Sequence, residues 1–377
     1  MTEHTLGMNI LVINPVLYTS NKGIIPQVKT IKDTMIYSMC LGLKNTGNDV
    51  TLLAIDDYMP TEPETYDFDV LWFKANCKRV LKDALPLSVA MLKWIRRNHC
   101  RYGMILASET FMFHSLLCGI VCPEKTLIWQ ELNVHQRKFH QLPSKFWHNV
   151  IVPLFMRRIK VVVGRSASAR DFISRYMPHT AATIVDHGID IAKFECSTAK
   201  KRQVISSSQL IYRKNVDGII KKFAQFHHYK GYDDIKLLIA GRGEEEEKLK
   251  QLTHELGLDE AVQFLGFLPQ RELNRHIKDS YCFLINTRRD LNMVSIPESI
   301  VSGTPVITNM VPALSHEIKR LHLGIAKDDW SALDLKNMID NNHTYVENCV
   351  HYRPMMSAEH QALALIACFN GTELHQE

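Results

Sequence analysis

Short apolar runs alternate with helix-length stretches along this chain, and the alternation starts twice. In the first half the runs fall at 9–14, 47–54, 70–73, 103–107, 126–129 and 161–163, with a helical pattern over 30–44 and others between most of them. A strand that is followed by a helix and then another strand can bury both faces of a sheet when the strands are parallel, so the pattern calls for βαβ units. A polar stretch at 196–203 interrupts it. The alternation then resumes with a strand at 204–207, a helix over 215–228, a strand at 237–240, a charged helix over 244–256, and strands at 262–265 and 281–286. A chain of 377 residues is too long for one ordinary core. The expectation is two consecutive doubly wound α/β domains, Rossmann-like and built on parallel sheets. Open sheets of this kind bind ligands at the carboxyl ends of their strands, so a cleft with the two carboxyl edges facing each other is the expected site.

Composition narrows the class. With 46% hydrophobic and 23% charged residues the chain has the profile of a soluble globular protein. It has no apolar run of about 18 residues that could span a bilayer. The first residues lack both a basic start and an apolar core, so no signal peptide is expected. Nine cysteines follow no repeating spacing, and none falls in Cys-x-x-Cys. Buried free thiols in a reducing, cytoplasmic setting are the reading. A net charge of +5 without a long basic block gives no case for nucleic acid. The 18 histidines show no metal-binding spacing. Asp67-Phe68-Asp69 precedes an apolar run instead of following one, so it reads as an acidic turn and not as a cation site.

The most informative segment is Asp290-Leu-Asn-Met-Val-Ser-Ile-Pro-Glu298, followed by Ser-Ile-Val-Ser-Gly303-Thr-Pro-Val-Ile307. It places two carboxylates eight residues apart between an apolar run and a helical pattern, with a Gly-Thr-Pro turn into the next strand. A helix start at a sheet's carboxyl edge presents N–H groups to an anion. This layout resembles the donor-binding signature of the retaining GT-B glycosyltransferases of family four, with Asp in place of the first Glu. Other segments resemble the family in order: Gly47-Asn-Asp-Val-Thr51, Val185-Asp-His-Gly188-Ile-Asp190, Leu238-Ile-Ala-Gly241-Arg-Gly243, and Val262 to Gly266 with Glu272-Leu273.

The resemblance implies a GT-B fold, with an acceptor-binding domain over 8–195, a nucleotide-sugar-binding domain over 196–352, and a last segment, 353–377, whose helix crosses back to the first domain. It implies a diphosphate site at Lys214. Gln209 stands where the family has an arginine, and Arg213 either takes that role or is a solvated loop charge. Glu298 is assigned to the nucleotide ribose and Asp290 to hydroxyls of the donor sugar. Ser295 and Ile296 are expected to offer backbone N–H groups to the phosphates, and Gly241 to line the donor site. Asn292-Met293 replaces the family's Phe-Gly, which bears on sugar identity. In the first domain Gly23 follows the first strand as a poor match to the acceptor loop, and Glu131 and His135 are either proton-handling or acceptor-binding groups, or a polar loop. The leaving diphosphate would be stabilised by protein cations and helix dipole, so neither metal nor cofactor is expected.

The expected activity is transfer of a sugar from a nucleotide diphosphate-sugar to a glycan or lipid-linked acceptor with retention, in surface polysaccharide or lipopolysaccharide synthesis. The rivals are a non-catalytic sugar-nucleotide-binding subunit and a GT-B sugar-nucleotide epimerase. Segment 143–160 mixes Phe146, Trp147 and other apolar residues with Lys145, Arg157, Arg158 and Lys160. It reads first as a core helix with basic ends; the other reading is peripheral contact with the inner face of the cell membrane.

Overall fold

The computed structural model describes residues 7–18, 25, 28–78, 81, 85–136, 141–289 and 293–372. The chain divides into two compact units, one of residues 1–190 with 357–377 and the other of residues 191–356.

The first unit holds a seven-stranded parallel sheet. Its strands are β1 (Asn9–Ile13), β2 (Asp49–Ile55), β3 (Asp69–Phe73), β4 (Met104–Ser108), β5 (Thr126–Gln130), β6 (Val161–Gly164) and β7 (Thr180–Ile184), in the order β3-β2-β1-β4-β5-β6-β7. Ile10 to Ile13 of β1 are essentially inaccessible to solvent, as are Met104 to Ala107 of β4. These central strands are buried on both faces and therefore lack polar alternation. Helix Ala358–Asn370 packs on helix Met35–Asn45, and Gly42 makes the contact possible, since a Cβ there would fall 2.3 Å from the Ala358 carbonyl oxygen.

The second unit holds a six-stranded parallel sheet of β8 (Gln203–Ser207), β9 (Lys236–Ala240), β10 (Val262–Gly266), β11 (Phe283–Leu284), β12 (Val306–Thr308) and β13 (Gly324–Ala326). The order is β10-β9-β8-β11-β12-β13. Phe223, Phe226 and Trp330 fill one side of this sheet, and Ile277, Ile300 and Ile318 fill the other.

The divisions differ slightly from the expected 195/196 and 352/353. Arg353 explains the shift: its guanidinium donates to the carbonyls of Ile191 (2.8 Å), Phe194 (3.0 Å) and Val301, tying both connecting segments to the second unit.

Segment 143–160 corrects the core-helix expectation. Residues 142–155 form one helical run, α over Leu142–Phe146, π over Trp147–Ile151 and α again over Val152–Phe155. Ser144, His148, Val152 and Met156 are buried, while Leu142, Phe146, Leu154 and Phe155 are exposed. Only one face of the run belongs to the core.

Candidate functional site

In the second sheet the chain moves outward from β8 through β9 to β10, then returns to the other side of β8 with β11. The switch point therefore lies between β8 and β11, where the loops leaving their carboxyl ends part. After β8 the chain makes a single 3-10 turn, Tyr212–Lys214, ended by Asn215 in the left-handed region at φ 55° and ψ 41°. Asparagine takes that conformation more readily than other residues with a Cβ. The Arg213 carbonyl accepts from the Arg288 N–H at 2.9 Å and from the Thr287 hydroxyl at 3.1 Å. Arg288 in turn pairs with Asp217 at 3.1 Å and lies over the Tyr212 ring at 4.1 Å. The two loops at the switch point are thus bound together, and Arg213 and Lys214 stand on the fastened turn. Gln209 is exposed on the same loop, with its carbonyl accepting from the Ile211 N–H.

The neighbouring loops are equally constrained. Gly241 has φ 134°, and a Cβ there would lie 1.8 Å from the Ser208 carbonyl oxygen; at Gly243 the clash would be with Leu210, at 2.1 Å. The Gly-x-Gly spacing lets the loop after β9 run against the loop after β8, with Leu210 N–H donating to the Arg242 carbonyl and Gly241 N–H to that of Gly266. Gly241 accordingly has a backbone reason to be glycine.

Glu298 lies in the first turn of helix Ser295–Val301, where a carboxylate is favoured by the helix dipole. Its Oε1 accepts from Gln270 Nε2 at 2.9 Å, from the helix that follows β10. The far end of the helix is locked: Ser299 Oγ donates to the Thr304 carbonyl at 2.8 Å, and Asn274 to Ser302 Oγ at 2.7 Å. Gly303, at φ 73°, makes the left-handed turn into β12. The expectation for Ile296 is corrected, because its N–H donates to the Met293 carbonyl at 3.1 Å and is not directed outward. Ser295 begins the helix. Asp290 and Asn292, like Gly23 in the first unit, lie outside the described residues.

In the first unit the switch point is between β1 and β4. Glu109 follows β4 with φ 59° and accepts from the N–H groups of Glu131 (2.7 Å) and Leu132 (3.2 Å). Burial is the main influence on its carboxyl, and with the Glu131 charge it outweighs those two bonds and Arg165, raising the pKa to about 7. Glu131 pairs with Arg165 at 2.7 Å. Arg165 leaves β6, lies over the Trp129 ring at 4.7 Å, and reaches Asp186 at 3.2 Å and His187 Nδ1 at 3.1 Å. Asp186 also holds the His187 ring at 2.9 Å. Burial opposes ionisation of Asp186, but His187 and Arg165 prevail and hold its pKa at about 2. His187 Nε2 is buried and meets no hydrogen-bond partner. Glu109, Arg165, Asp186 and His187 were not singled out as site residues from the sequence. The available signal was positional, since Glu109 and Arg165 each follow a strand at its carboxyl end.

His135 is placed differently from its expected role. Its Nδ1 meets Ser144 Oγ at 3.1 Å and its Nε2 meets the Tyr176 hydroxyl at 3.0 Å, within a cluster of His148, Phe172 and Tyr176. Burial, then Lys145 and Arg175, push its pKa down. Its Nδ1 ties it to the helical run of 142–155 and its Nε2 to Tyr176, so both ring nitrogens are engaged within this cluster. Among the described residues no three His, Cys, Asp or Glu side chains converge as a metal site, and no described helix is long and apolar enough to cross a membrane.

Residues 190–341 match the glycosyl transferases group 1 family. The alpha-monoglucosyldiacylglycerol synthase of Streptococcus pneumoniae is 27% identical over 180 residues, which is 44% of this chain and 40% of that protein. The match to this curated relative therefore spans less than half of its length. Among solved structures, Anabaena HepE in complex with UDP superposes with a TM-score of 0.65 at 14% identity, covering 97% of this chain and all of that one. The lipopolysaccharide outer core galactosyltransferase WaaB superposes at 0.61 with 11% identity, covering 97% of this chain and 99% of that one. The fold, with its two parallel sheets of seven and six strands, is that of the GT-B glycosyltransferases, and residues 190–341 form a domain of the glycosyl transferases group 1 family.

Proposed function

We propose that this chain transfers a sugar from a nucleoside diphosphate-sugar to a glycan or lipid-linked acceptor, with retention of anomeric configuration and without a metal ion, in the assembly of a surface polysaccharide or lipopolysaccharide. The observation that carries the reading is the fastened turn at the switch point of the second unit, with Arg213 and Lys214 on it, in a domain of the group 1 family. Transfer builds negative charge on the departing diphosphate, and fixed cations stabilise it without reorganising. Lys214 and Arg213 are given this duty, Glu298 the ribose hydroxyls, for which an ionised carboxylate is an acceptor-only partner, and Asp290 the donor sugar. Ser295 contributes its N–H to the phosphates.

The solved relative with UDP bound favours a nucleoside diphosphate ligand, and the names of the lipid and lipopolysaccharide enzymes favour a lipid-linked or glycan acceptor. The acceptor would be held by the first unit, with Glu131 and Glu109 as the carboxylates available to its hydroxyl.

The test is calorimetric titration with UDP, GDP, ADP and dTDP, repeated on Glu298→Ala and Arg213→Ala. One nucleotide is expected to bind, and losing a charge-assisted hydrogen bond at either position should weaken it by about 10- to 150-fold. Binding that is unchanged in both variants, or absent for all four nucleotides, overturns the assignment. Turnover of the donor that disappears in Glu298→Ala separates an enzyme from a binding subunit.

A further inference from the structure

Helix Ser295–Val301, which carries Glu298, meets helix Gln270–Asp279, which follows β10, along one pair of faces. Leu273 and Ile277 of the second pack in the same apolar cluster as Ile296 and Ile300 of the first. Beside this apolar contact run two side-chain amide bonds. Asn274 donates to Ser302 Oγ at 2.7 Å, and Gln270 Nε2 donates to Glu298 Oε1 at 2.9 Å. Residues four apart lie on one side of a helix, so 270 with 274 and 298 with 302 make a ladder of two rungs.

The two rungs differ in their surroundings. Asn274 is buried, and its side chain also donates to the Glu195 carbonyl at 3.2 Å and accepts from the Glu195 N–H at 2.9 Å. Ser302 Oγ in turn donates to the Glu298 carbonyl at 2.7 Å. Packing explains this rung, because buried polar groups need partners. Gln270 is exposed. Water can satisfy an exposed amide, so its bond to Glu298 adds little stability and is not required by the fold.

The backbone under Gln270 is nevertheless fixed. Pro269, with φ −58° and ψ 152°, caps the helix, and the Leu273 N–H donates to its carbonyl at 2.9 Å. The turn leaving β10 is tied to the loop after β9, since the Gly241 N–H donates to the Gly266 carbonyl at 2.7 Å. Only the amide nitrogen can donate to a carboxylate, so the partner sets which way the Gln270 amide points. The amide is neutral and leaves the carboxylate its charge. An ionised carboxylate has about four acceptor positions, and the Gln270 bond takes one. A glutamate that engages a ligand loses rotamer freedom, and a bond already made to its side chain removes part of that cost.

We propose that Gln270 is a positioning residue for nucleotide recognition, holding the Glu298 carboxylate in the orientation that receives the ribose hydroxyls of the donor. It rests on the assignment of Glu298 to the ribose.

The test is calorimetric titration of the full chain with whichever of UDP, GDP, ADP and dTDP binds most tightly, and with the form of that nucleotide that lacks the ribose hydroxyls. Wild type, Gln270→Met, Glu298→Ala and the double variant are compared. Methionine keeps the length of the side chain and removes the donor. Immobilising one long side chain beforehand is worth about 2- to 12-fold in affinity, so Gln270→Met should weaken the hydroxylated nucleotide by that factor and leave the other unchanged. In the Glu298→Ala background it should add nothing, because two residues acting through one contact are not additive. Gln270 is exposed, so the melt of Gln270→Met should match the wild type. A glutamine that served only the fold would weaken both nucleotides alike. Equal loss for both, no loss, or a full further loss on top of Glu298→Ala overturns the proposal and leaves the ribose assignment standing, provided Glu298→Ala itself weakens binding. Glu298→Ala that binds like the wild type removes the ribose assignment, and the role of Gln270 with it.

Discussion

Glu109→Gln is expected to stabilise the first unit at alkaline pH and to leave it unchanged in acid. The carboxyl sits at the carboxyl end of β4, with Oε1 accepting from two backbone N–H groups and the charge of Glu131 nearby. Burial raises its pKa from 4.5 to about 7 in the folded chain. The folded state therefore binds a proton more tightly than the unfolded state. Its contribution is fully present below about pH 4.5 and is lost as pH rises through about 7. A shift of that size corresponds to about 3 kcal/mol in full, but part of the side chain reaches solvent, and about 1–2 kcal/mol is the share that should survive screening. Glutamine keeps the acceptor oxygen for Glu131 and Leu132 and replaces the protonated hydroxyl with an amide donor, so it mimics the neutral acid at every pH. For a unit of this size 1–2 kcal/mol moves the melting temperature by about 3–6 °C. Scanning calorimetry at about pH 4 should therefore find wild type and variant together, and at about pH 8 the variant should melt later by that margin. A gap that does not change with pH, or a variant that is less stable at pH 8, would refute the account of Glu109 as a carboxyl kept neutral by its surroundings.

Asp186→Asn should behave in the opposite sense. The aspartate's pKa is held at about 2, so its contribution is present above about pH 4 and lost toward pH 2; the variant should be less stable by about 1 kcal/mol at pH 7, with the gap closing in acid denaturation series. Gly241→Ala should cost about 2–4 kcal/mol in chemical denaturation, because it combines a φ of 134° with a Cβ 1.8 Å from the Ser208 carbonyl oxygen. Trp330→Phe keeps the ring but removes the indole N–H that donates to the Ile285 carbonyl at 2.8 Å, and should cost about 1–2 kcal/mol with faster amide exchange in the loop after β11.

The strands that read clearly from sequence are those buried on both faces. The interiors of β1 (Ile10 to Ile13), β4 (Met104 to Ala107) and β5 (Leu127 to Trp129) are unbroken apolar runs because no side chain in them needs water, and Leu237 to Ala240 of β9 repeat the pattern. Two strands left no such trace. β7 is Thr-Ala-Ala-Thr-Ile at the edge of its sheet, with its last three residues exposed. β13 is three residues long and also at an edge. An edge strand is specified by what it pairs with more than by what it buries, so local sequence says little about it. The same distinction separates helix Val216–His227, whose apolar stripe faces one core, from the run of 142–155. That run carries two apolar faces, and a period of four mixes core and surface positions that only its π segment keeps apart.

The candidate sites divide along similar lines. Lys214, Arg213 and Glu298 were named through the family resemblance, whose segments include glycines that the backbone requires: Gly241-x-Gly243 for the close approach of two loops, and Gly303 for a left-handed turn. The cluster of Glu109, Glu131, Arg165, Asp186 and His187 spans 79 residues of sequence and four separate connections, and its members meet only because β4, β5, β6 and β7 are neighbours in the sheet. His135 favours the other of its two readings. A histidine just beyond a strand looks like chemistry, yet here Ser144 of the helical run and Tyr176 beyond it engage both of its nitrogens. A polar residue at a sheet's carboxyl edge is thus only a candidate, and its hydrogen-bond partners decide its role. By that criterion the engaged ring of His135 yields to the unpartnered Nε2 of His187 as the imidazole to mutate first in the first unit.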